Sequence, residues 1–487
     1  MNCFWRLSST AISDADEGRY GVAASEMLRS HSLLVATYAG RPEYWNLKPP
    51  LGYWMQELAY VGFGPTVFAL RLPSALCAMA LIALTLWVCQ RWYGRRHALL
   101  AGLILTCCFG FIAHHGARNG DLDSALSLIV LGTVIQIPRL AQSARSRLLW
   151  AGLLALGFLL KSFAVLPVVL FTALYLAWSG DWRRSRWRDW LPALALLAGI
   201  IGAWVLARYR VDGSMYFVDR MMREDLLQRS TQVIDPGTSK PWGYLEVLLD
   251  RFAPWPLFIL AAALLRKRWH APQRCASRLV LLWALVPLVT FSLARTHHHW
   301  YLDPSYPAWS ILAAGALLEL LALSAGGRRV ALSSLLVLAV LFCEGRILIR
   351  IGLKDRRPPN QVFLMSLQDH ALIPASQTIE VAFPLSYSER FILEVVDGYH
   401  LVAGDQRRTV PTASIPPAVA MPPAVTAPPA VSAPHGSSVL LLRRRQLEGV
   451  PADRFGSAVL VANGSYFVLK GIDLNSLGAA QRLAPVP

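Results

Sequence analysis

Long apolar runs recur along the first 350 positions, at 66–90, 98–113, 124–138, 148–160, 163–178, 190–207, 279–294, 305–323 and 330–349. Several approach the roughly 20 residues that carry a helix across a bilayer; the shorter ones are expected to be tilted, broken or re-entrant. The run at 253–265 is marginal in length, but the spans on either side require a crossing between them. Residues 1–13 are too few and too polar to span, and they lack the apolar core of a signal peptide. After about 352 the pattern changes. The runs shorten to TIEVAF, RFILEVV, SSVLLL, SAVLVA and SYFVLK, bounded by Gly, Pro, Asp and Asn, which are strand signals. Among them PPAV recurs from Pro416, Pro422 and Pro428, a proline density that favours extended, unpaired backbone. The chain thus reads as a membrane domain over 1–351, with polar loops at 14–65 and 208–252, and a small α/β domain over 352–487 with a Pro-rich insert at 411–438.

Composition agrees with this polytopic α-helical membrane protein: 487 residues, 55% apolar and 16% charged, with a mean hydropathy of +0.41. The net charge of +17 would suit nucleic acid, but its placement argues otherwise. Arg91, Arg95 and Arg96 share one inter-span loop; Arg139, Arg145 and Arg147 another; then come Arg183, Arg184, Arg186 and Arg188; then Arg266, Lys267, Arg268, Arg274 and Arg278; then Arg328 and Arg329. Every second loop is basic. This positive-inside pattern assigns those loops to the cytoplasm and spends the charge on orientation, leaving no nucleic-acid partner. The loops at 14–65, 114–123, near 161, 208–252 and 295–304, with everything after about 350, then face outward. Seven cysteines, none beyond 350, form no disulfide framework and read as packing residues.

Four polar clusters fall in the outward segments. In DADEGRYGVAASEM, Asp14 and Glu17 match a capping box, Asp16 and Arg19 share a helix face, and Ala23, Ala24, Met27 and Leu28 make an apolar side suited to a membrane surface. In RPEYWNLKPPLGYW, Lys48 is one of only six lysines among 47 basic residues, stiffened by Pro49 and Pro50. Tyr44, Trp45, Tyr53 and Trp54 around it suit an interfacial belt, the depth at which a lipid phosphate lies; a snorkelling lysine is the plain alternative. In HHGARNGDLDSALS, Arg118, Asp121 and Asp123 stand at a membrane boundary, as ligands of a substrate or as helix caps. In RTHHHWYLDPSYP, His297, His298, His299 and Asp303 admit a divalent metal ion, though adjacent histidines cannot all turn to one centre and interfacial aromatics account for them more plainly. Charge of both signs on one side suits an enzyme acting at the outer surface on a lipid-linked anion. A transporter or flippase of lipid-linked intermediates, the competing reading, needs ionisable groups deep in the spans. Spans 66–90, 98–113 and 190–207 hold almost none away from their ends.

DADEGRY with SEML, then LKPPLGYW, GARNGDLDSALS, LLKSFAVLP and HHWYLDPSYPAWS, resemble in order the conserved stretches of the C-type (GT-C) polyprenyl-phosphate-sugar-dependent glycosyltransferases. The nearest branches are the bacterial relatives of protein O-mannosyltransferase and of the aminoarabinose transferase that modifies lipid A. The resemblance covers about 14–350. It implies a GT-C fold in the bacterial inner membrane and, on its periplasmic side, transfer of a sugar with inversion from a polyprenyl-phosphate donor to a glycolipid or protein hydroxyl. Carried over, Asp16 matches the catalytic aspartate, Arg19 its neighbour, Asp121 or Asp123 the second acidic position, Lys48 the phosphate-binding lysine and Tyr301 the tyrosine of the late motif. Lys161 stands where relatives often have Lys-Gly-Pro, and Arg118 joins it as a candidate for the donor phosphate. Two departures are visible. Leu47 replaces the acid that precedes the lysine in aminoarabinose transferases, and no span precedes the acidic pair, as a late start or a truncation would explain.

Overall fold

The protein is described by a computed structural model that covers residues 2–44, 47–113, 115–228, 231–233, 242–265, 274–369, 373, 377–403, 439–447 and 458–470. Trp45, His114, Arg266, Lys267, Arg268 and the Pro-rich insert 411–438 lie outside the described residues. Six described helical stretches are long and apolar enough to cross a membrane, or seven with one bent pair. The chain is a multi-pass membrane protein.

Two short helices come first: α1, Asp16–Ser30, and α2, Leu51–Phe63. The bundle then runs α3, Val67–Tyr93; α4, Arg95–Thr106; α5, Asp123–Gln136; α6, Ala144–Lys161; α7, Leu166–Ser179; and α8, Leu191–Asp212. It continues with α9, Gly243–Arg251; α10, Trp255–Leu265; α11, Arg274–Leu293; α12, Tyr306–Leu323; and α13, Gly326–Ile349. The run at 98–113 is not one span. α4 stops at Thr106, whose hydroxyl donates back to the Gly102 carbonyl, and the chain bends at Cys107–Cys108 into a one-turn helix, Phe109–Ile112. Gly110 makes that bend possible, because a side chain there would overlap Tyr306. The turn expected near 161 is present. Ser162 takes a positive φ of 53°, and the Trp150 indole donates to Thr172 Oγ1 at 3.4 Å, so α7 turns back toward α6 rather than extending it. The marginal run at 253–265 is α10, set at 102° to α9.

The apolar side of α1 does not lie on a membrane. Ala23, Ala24 and Met27 are fully buried, because α1 is enclosed by α2 and by the helical segments Tyr387–Arg390 and Phe391–Val396 of the C-terminal domain. The neighbouring helix α2 instead exposes apolar side chains, Leu58, Val61 and Phe63. Asp14 is not the cap of α1 either. The helix starts at Asp16 without a side-chain cap, while Asp14 accepts from the Ser388 amide at 2.9 Å and so ties the membrane domain to the C-terminal one.

Helix α14, Pro359–Asp369, leads into that domain. Its sheet has strands β1, Thr378–Val381; β2, His400–Ala403; β3, Val439–Arg443; β4, Val459–Ala462; and β5, Tyr466–Lys470, in the order β2-β1-β3-β5-β4. β1 pairs parallel with β2 and β3; β5 pairs antiparallel with β3 and β4. Four of the five expected strands form. RFILEVV is helical instead, because Ser386 and Glu389 make a reciprocal capping box that starts a helix just before it.

The described arginine-rich loops, at 91–96, 139–147, 183–188 and 328–329, sit at one end of the bundle, and the sheet domain joins the other. In a cysteine-free background, Ser185→Cys is expected to resist a membrane-impermeant thiol reagent in intact cells and Ser465→Cys to react with it. The reverse labelling would invert the orientation read from the arginines.

Candidate active site

The start of α1, the start of α5, the end of α6 and the segment before α12 meet at the end of the bundle away from the arginine-rich loops. They bring together Asp16, His115, Asp121, Asp123, Lys161 and Asp303. Lys161 Nζ donates to Asp123 Oδ1 at 2.5 Å, and His115 Nδ1 lies 2.8 Å from Asp121 Oδ2, an ion pair rather than a linear hydrogen bond. Asn119 donates to the same Asp121 oxygen at 3.1 Å. Asp16, half-buried at the first position of α1, acts electrostatically on both His115 and Lys161. Asp121, Asp123 and Asp303 are buried, and each keeps one carboxylate oxygen that no described residue engages. Buried acceptors of this kind suit hydroxyl donors of a bound ligand.

Burial opposes charging of His115, but the neighbouring Asp121, with Asp123 and Asp16 behind it, outweighs burial and pushes the imidazole up to about 9. Its ring stacks on Trp300 at 3.8 Å, and the other face of the late motif stacks too, His298 on Trp300 at 4.3 Å. Trp300 thereby locks the 115–123 loop to the 297–303 segment. A group whose folded value is raised stabilises fully below its ordinary value near 6.5, and that contribution fades as pH rises through about 9. The thermal midpoint of the protein should therefore fall from pH 7 to 10 more steeply than that of His115→Gln. Parallel curves would show that His115 is uncharged at neutral pH.

Lys48 stands apart from this cluster in its pairing. It follows the buried Leu47, and its Nζ donates to both Asp225 oxygens at 3.0 Å; Asp225 lies on the π-helical segment Met222–Gln228. Arg19 is paired with Glu43, with Nε to Oε2 at 2.9 Å, and its guanidinium lies over the Tyr387 ring. Arg118 donates to the backbone carbonyls of Asn2, at 2.6 Å, and Trp5, so it clasps the amino-terminal segment. Tyr301 packs against Phe291 at 5.1 Å and His298 at 5.3 Å. Tyr53 is not in the interfacial belt but meets Tyr20 edge-to-face beside Asp16, at 5.8 Å. His297 Nε2 donates to the Ala294 carbonyl at 2.8 Å, and its ring lies tilted against Tyr244 at 5.1 Å. Among the described residues no three His, Cys, Asp or Glu side chains are placed to hold a metal ion.

Sequence reasoning missed His115, Asp225, Glu43 and Tyr20 as members of this region. It read Glu17 only as a cap, yet Glu17 is fully buried against Arg71, at 2.6 Å, and accepts from the Ser13 and Gly120 amides at 2.8 and 2.9 Å. The signal was Arg71 itself, a guanidinium within an apolar run, which has to find a partner.

Residues 47–207 match the family of dolichyl-phosphate-mannose-protein mannosyltransferases. The chain is similar to the undecaprenyl phosphate-alpha-4-amino-4-deoxy-L-arabinose arabinosyl transferase of Pseudomonas aeruginosa strain LESB58, 31% identical over 332 residues, which are 65% of this chain and 58% of that protein. The corresponding transferase 2 of Sodalis glossinidius is 29% identical over 324 residues, 63% of this chain and 56% of that one. The chain thus matches less than two thirds of the length of these relatives. In three dimensions it is similar to ArnT from Cupriavidus metallidurans bound to undecaprenyl phosphate, with a TM-score of 0.68 at 16% identity over 97% of this chain and 96% of that one. The fold is that of a GT-C glycosyltransferase.

Proposed function

We propose that the chain is a GT-C glycosyltransferase of the protein O-mannosyltransferase and aminoarabinose-transferase kind, as its similarities and fold support, and that it moves a sugar from a polyprenyl-phosphate donor to an acceptor on the periplasmic side. One observation carries the reading: Asp16, Asp121 and Asp123 converge with Lys161 and His115 at the bundle end where Lys48 also lies. Lys48 takes the donor phosphate, neutralising the charge that grows as the sugar–phosphate bond breaks. Lys161, paired with Asp123, and Arg118, on backbone carbonyls, are the further candidates for that phosphate. The open oxygens of Asp121, Asp123 and Asp303 accept hydrogen bonds from sugar hydroxyls. Asp16 accepts the proton of an acceptor hydroxyl as it attacks the anomeric carbon from the face opposite the departing phosphate. If the acceptor is itself a phosphate no base is needed, and Asp16 stabilises positive charge on the sugar instead.

Lipid A or a related glycolipid is the acceptor we favour, since the similar relatives named above are aminoarabinose transferases; a protein hydroxyl is the other. Mass spectrometry of cell-envelope glycolipids and glycoproteins with and without the chain decides between them, and an envelope identical in both strains would leave the transferase reading without a product. A flippase would instead change the sidedness of a lipid-linked sugar while leaving every product intact.

Asp225 already occupies Lys48, so donor phosphate has to displace a carboxylate. Lys48→Ala is expected to weaken polyprenyl-phosphate binding at least tenfold, because a hydrogen bond to a charged group contributes about 1.5–3 kcal/mol. Asp225→Asn should tighten the same binding several-fold. Equal binding by all three proteins would remove Lys48 from the donor site.

A further inference from the structure

On the lipid-facing side of the bundle, α10, α12 and α13 enclose a groove of about 770 Å³. Its walls are apolar, with Leu257 and Leu265 from α10 and Leu335 and Phe342 from α13, and all four are more than half exposed or nearly so, as side chains open to lipid are. Among the described residues polar lining is confined to Ser324 and Arg328, both at the end where α12 gives way to α13. Arg328 is exposed, and no carboxylate among the described residues pairs with it. From Arg328 to Phe342 the groove follows α13 for about 21 Å at 1.5 Å per residue, more than half of a hydrocarbon core of about 30 Å. A second cavity, of about 460 Å³, adjoins the same helical turn and is lined by Gly326, Arg329 and Ser333.

One cationic end and a long apolar trough fit an amphiphile with an anionic head. A guanidinium fork suits phosphate, and the free amides of the first turn of α13 add to the attraction. The two arginines and the amides converge at one depth, that of the headgroups on the arginine-rich side. The donor of the proposed reaction does not match this polarity, since its phosphate goes to Lys48 at the opposite end of the bundle. We infer that the groove holds one anionic phospholipid of the leaflet on the arginine-rich side, its phosphate at Arg328 and an acyl chain along α10 and α13. The inference concerns binding alone and does not depend on the transfer reaction.

Native mass spectrometry of the full chain in detergent, titrated with phosphatidylglycerol or phosphatidylcholine, tests it. The wild type should retain one phosphatidylglycerol at concentrations where phosphatidylcholine is lost. Arg328→Gln should lower that retention at least tenfold, Arg328→Lys should keep part of it, and Ala331→Trp, which fills the trough, should abolish it with the arginine intact. Ala331 lines the groove and is remote from the candidate site. Size-exclusion profiles matching the wild type establish that the variants are folded; if one is not, the other two decide. Equal retention of the two lipids, or retention unchanged in Arg328→Gln and Ala331→Trp, overturns the assignment. Displacement of the bound lipid by a polyprenyl phosphate at equal concentration would also overturn it and give the groove to the donor.

Discussion

Replacing Asp16 by Asn is expected to lower single-turnover sugar transfer about a hundredfold or more while leaving polyprenyl-phosphate binding largely intact. The two side chains have nearly the same shape, so the variant removes charge and basicity and little else. α1 is indifferent to the change as a helix: Ala15 is its N-cap residue, and the side chain of Asp16 does not close it. A purely structural Asp16 would on substitution leave transfer unchanged and lower the thermal midpoint only modestly, through the lost attraction to His115 and Lys161. The informative measurement separates donor binding from turnover on the same preparation. An Asp16→Asn protein that transfers sugar at the wild-type rate would return the first motif to a structural role and leave the reaction to Asp121 or Asp123. Loss of donor binding together with turnover would show that Asp16 acts by holding the donor site together, against the division of labour with Lys48.

The largest effect on stability is expected at Arg71. Its guanidinium bonds Glu17 at 2.6 and 3.0 Å, Thr10 Oγ1 at 2.6 Å, and the carbonyls of Leu7 and Ala11 at 2.8 and 2.6 Å. Arg71→Met leaves the Glu17 carboxylate buried without its cation and frees the amino-terminal segment. Removing one partner of a buried pair typically costs about 3–5 kcal/mol, so a large drop in thermal midpoint should follow. Glu17→Gln combined with Arg71→Met should recover part of it, since no charge is then left uncompensated. Burial works against the charge on Glu17, but Arg71 and the Ser13 and Gly120 amides outweigh it and hold the carboxyl below its ordinary value. A depressed carboxylate stabilises above its unfolded value and ceases to do so as pH falls through the folded one. The wild type should thus lose stability on acidification where Glu17→Gln/Arg71→Met does not. An Arg71→Met protein as stable as the wild type would show that the knot at the head of α3 contributes nothing.

Much of the architecture follows from local pattern. Apolar runs set the helices, and the alternation of arginine between successive loops set their expected orientation, because transfer into hydrocarbon and attraction at the cytoplasmic surface depend on composition over a short window. Strands β1, β3, β4 and β5 were legible for the same reason, as short apolar runs between turn residues. The exceptions are instructive. RFILEVV has the composition of a strand, yet a capping box between residues three apart, Ser386 and Glu389, decides its fate. The run at 98–113 is continuous in hydropathy and broken in space, since the break depends on how closely Gly110 is approached by Tyr306 from another helix.

The site divides in the same way. The sequence by itself determined which segments carry charge toward one end of the bundle, and it singled out Asp16, Lys48, Asp121, Asp123 and Tyr301 by residue type and order. Only the tertiary structure decided what each one faces. Lys161 and Asp123 are 38 residues apart, Glu17 and Arg71 are 54 apart, and Lys48 and Asp225 are 177 apart. Arg118 looks in sequence like a ligand of phosphate and is in space a clasp on backbone carbonyls. Hydrophobic transfer is a sum over neighbouring positions and can be read along the chain. Pairing of buried charges depends on short-range geometry between side chains that the chain brings together only on folding, so its outcome is written in the packing and not in the order of residues.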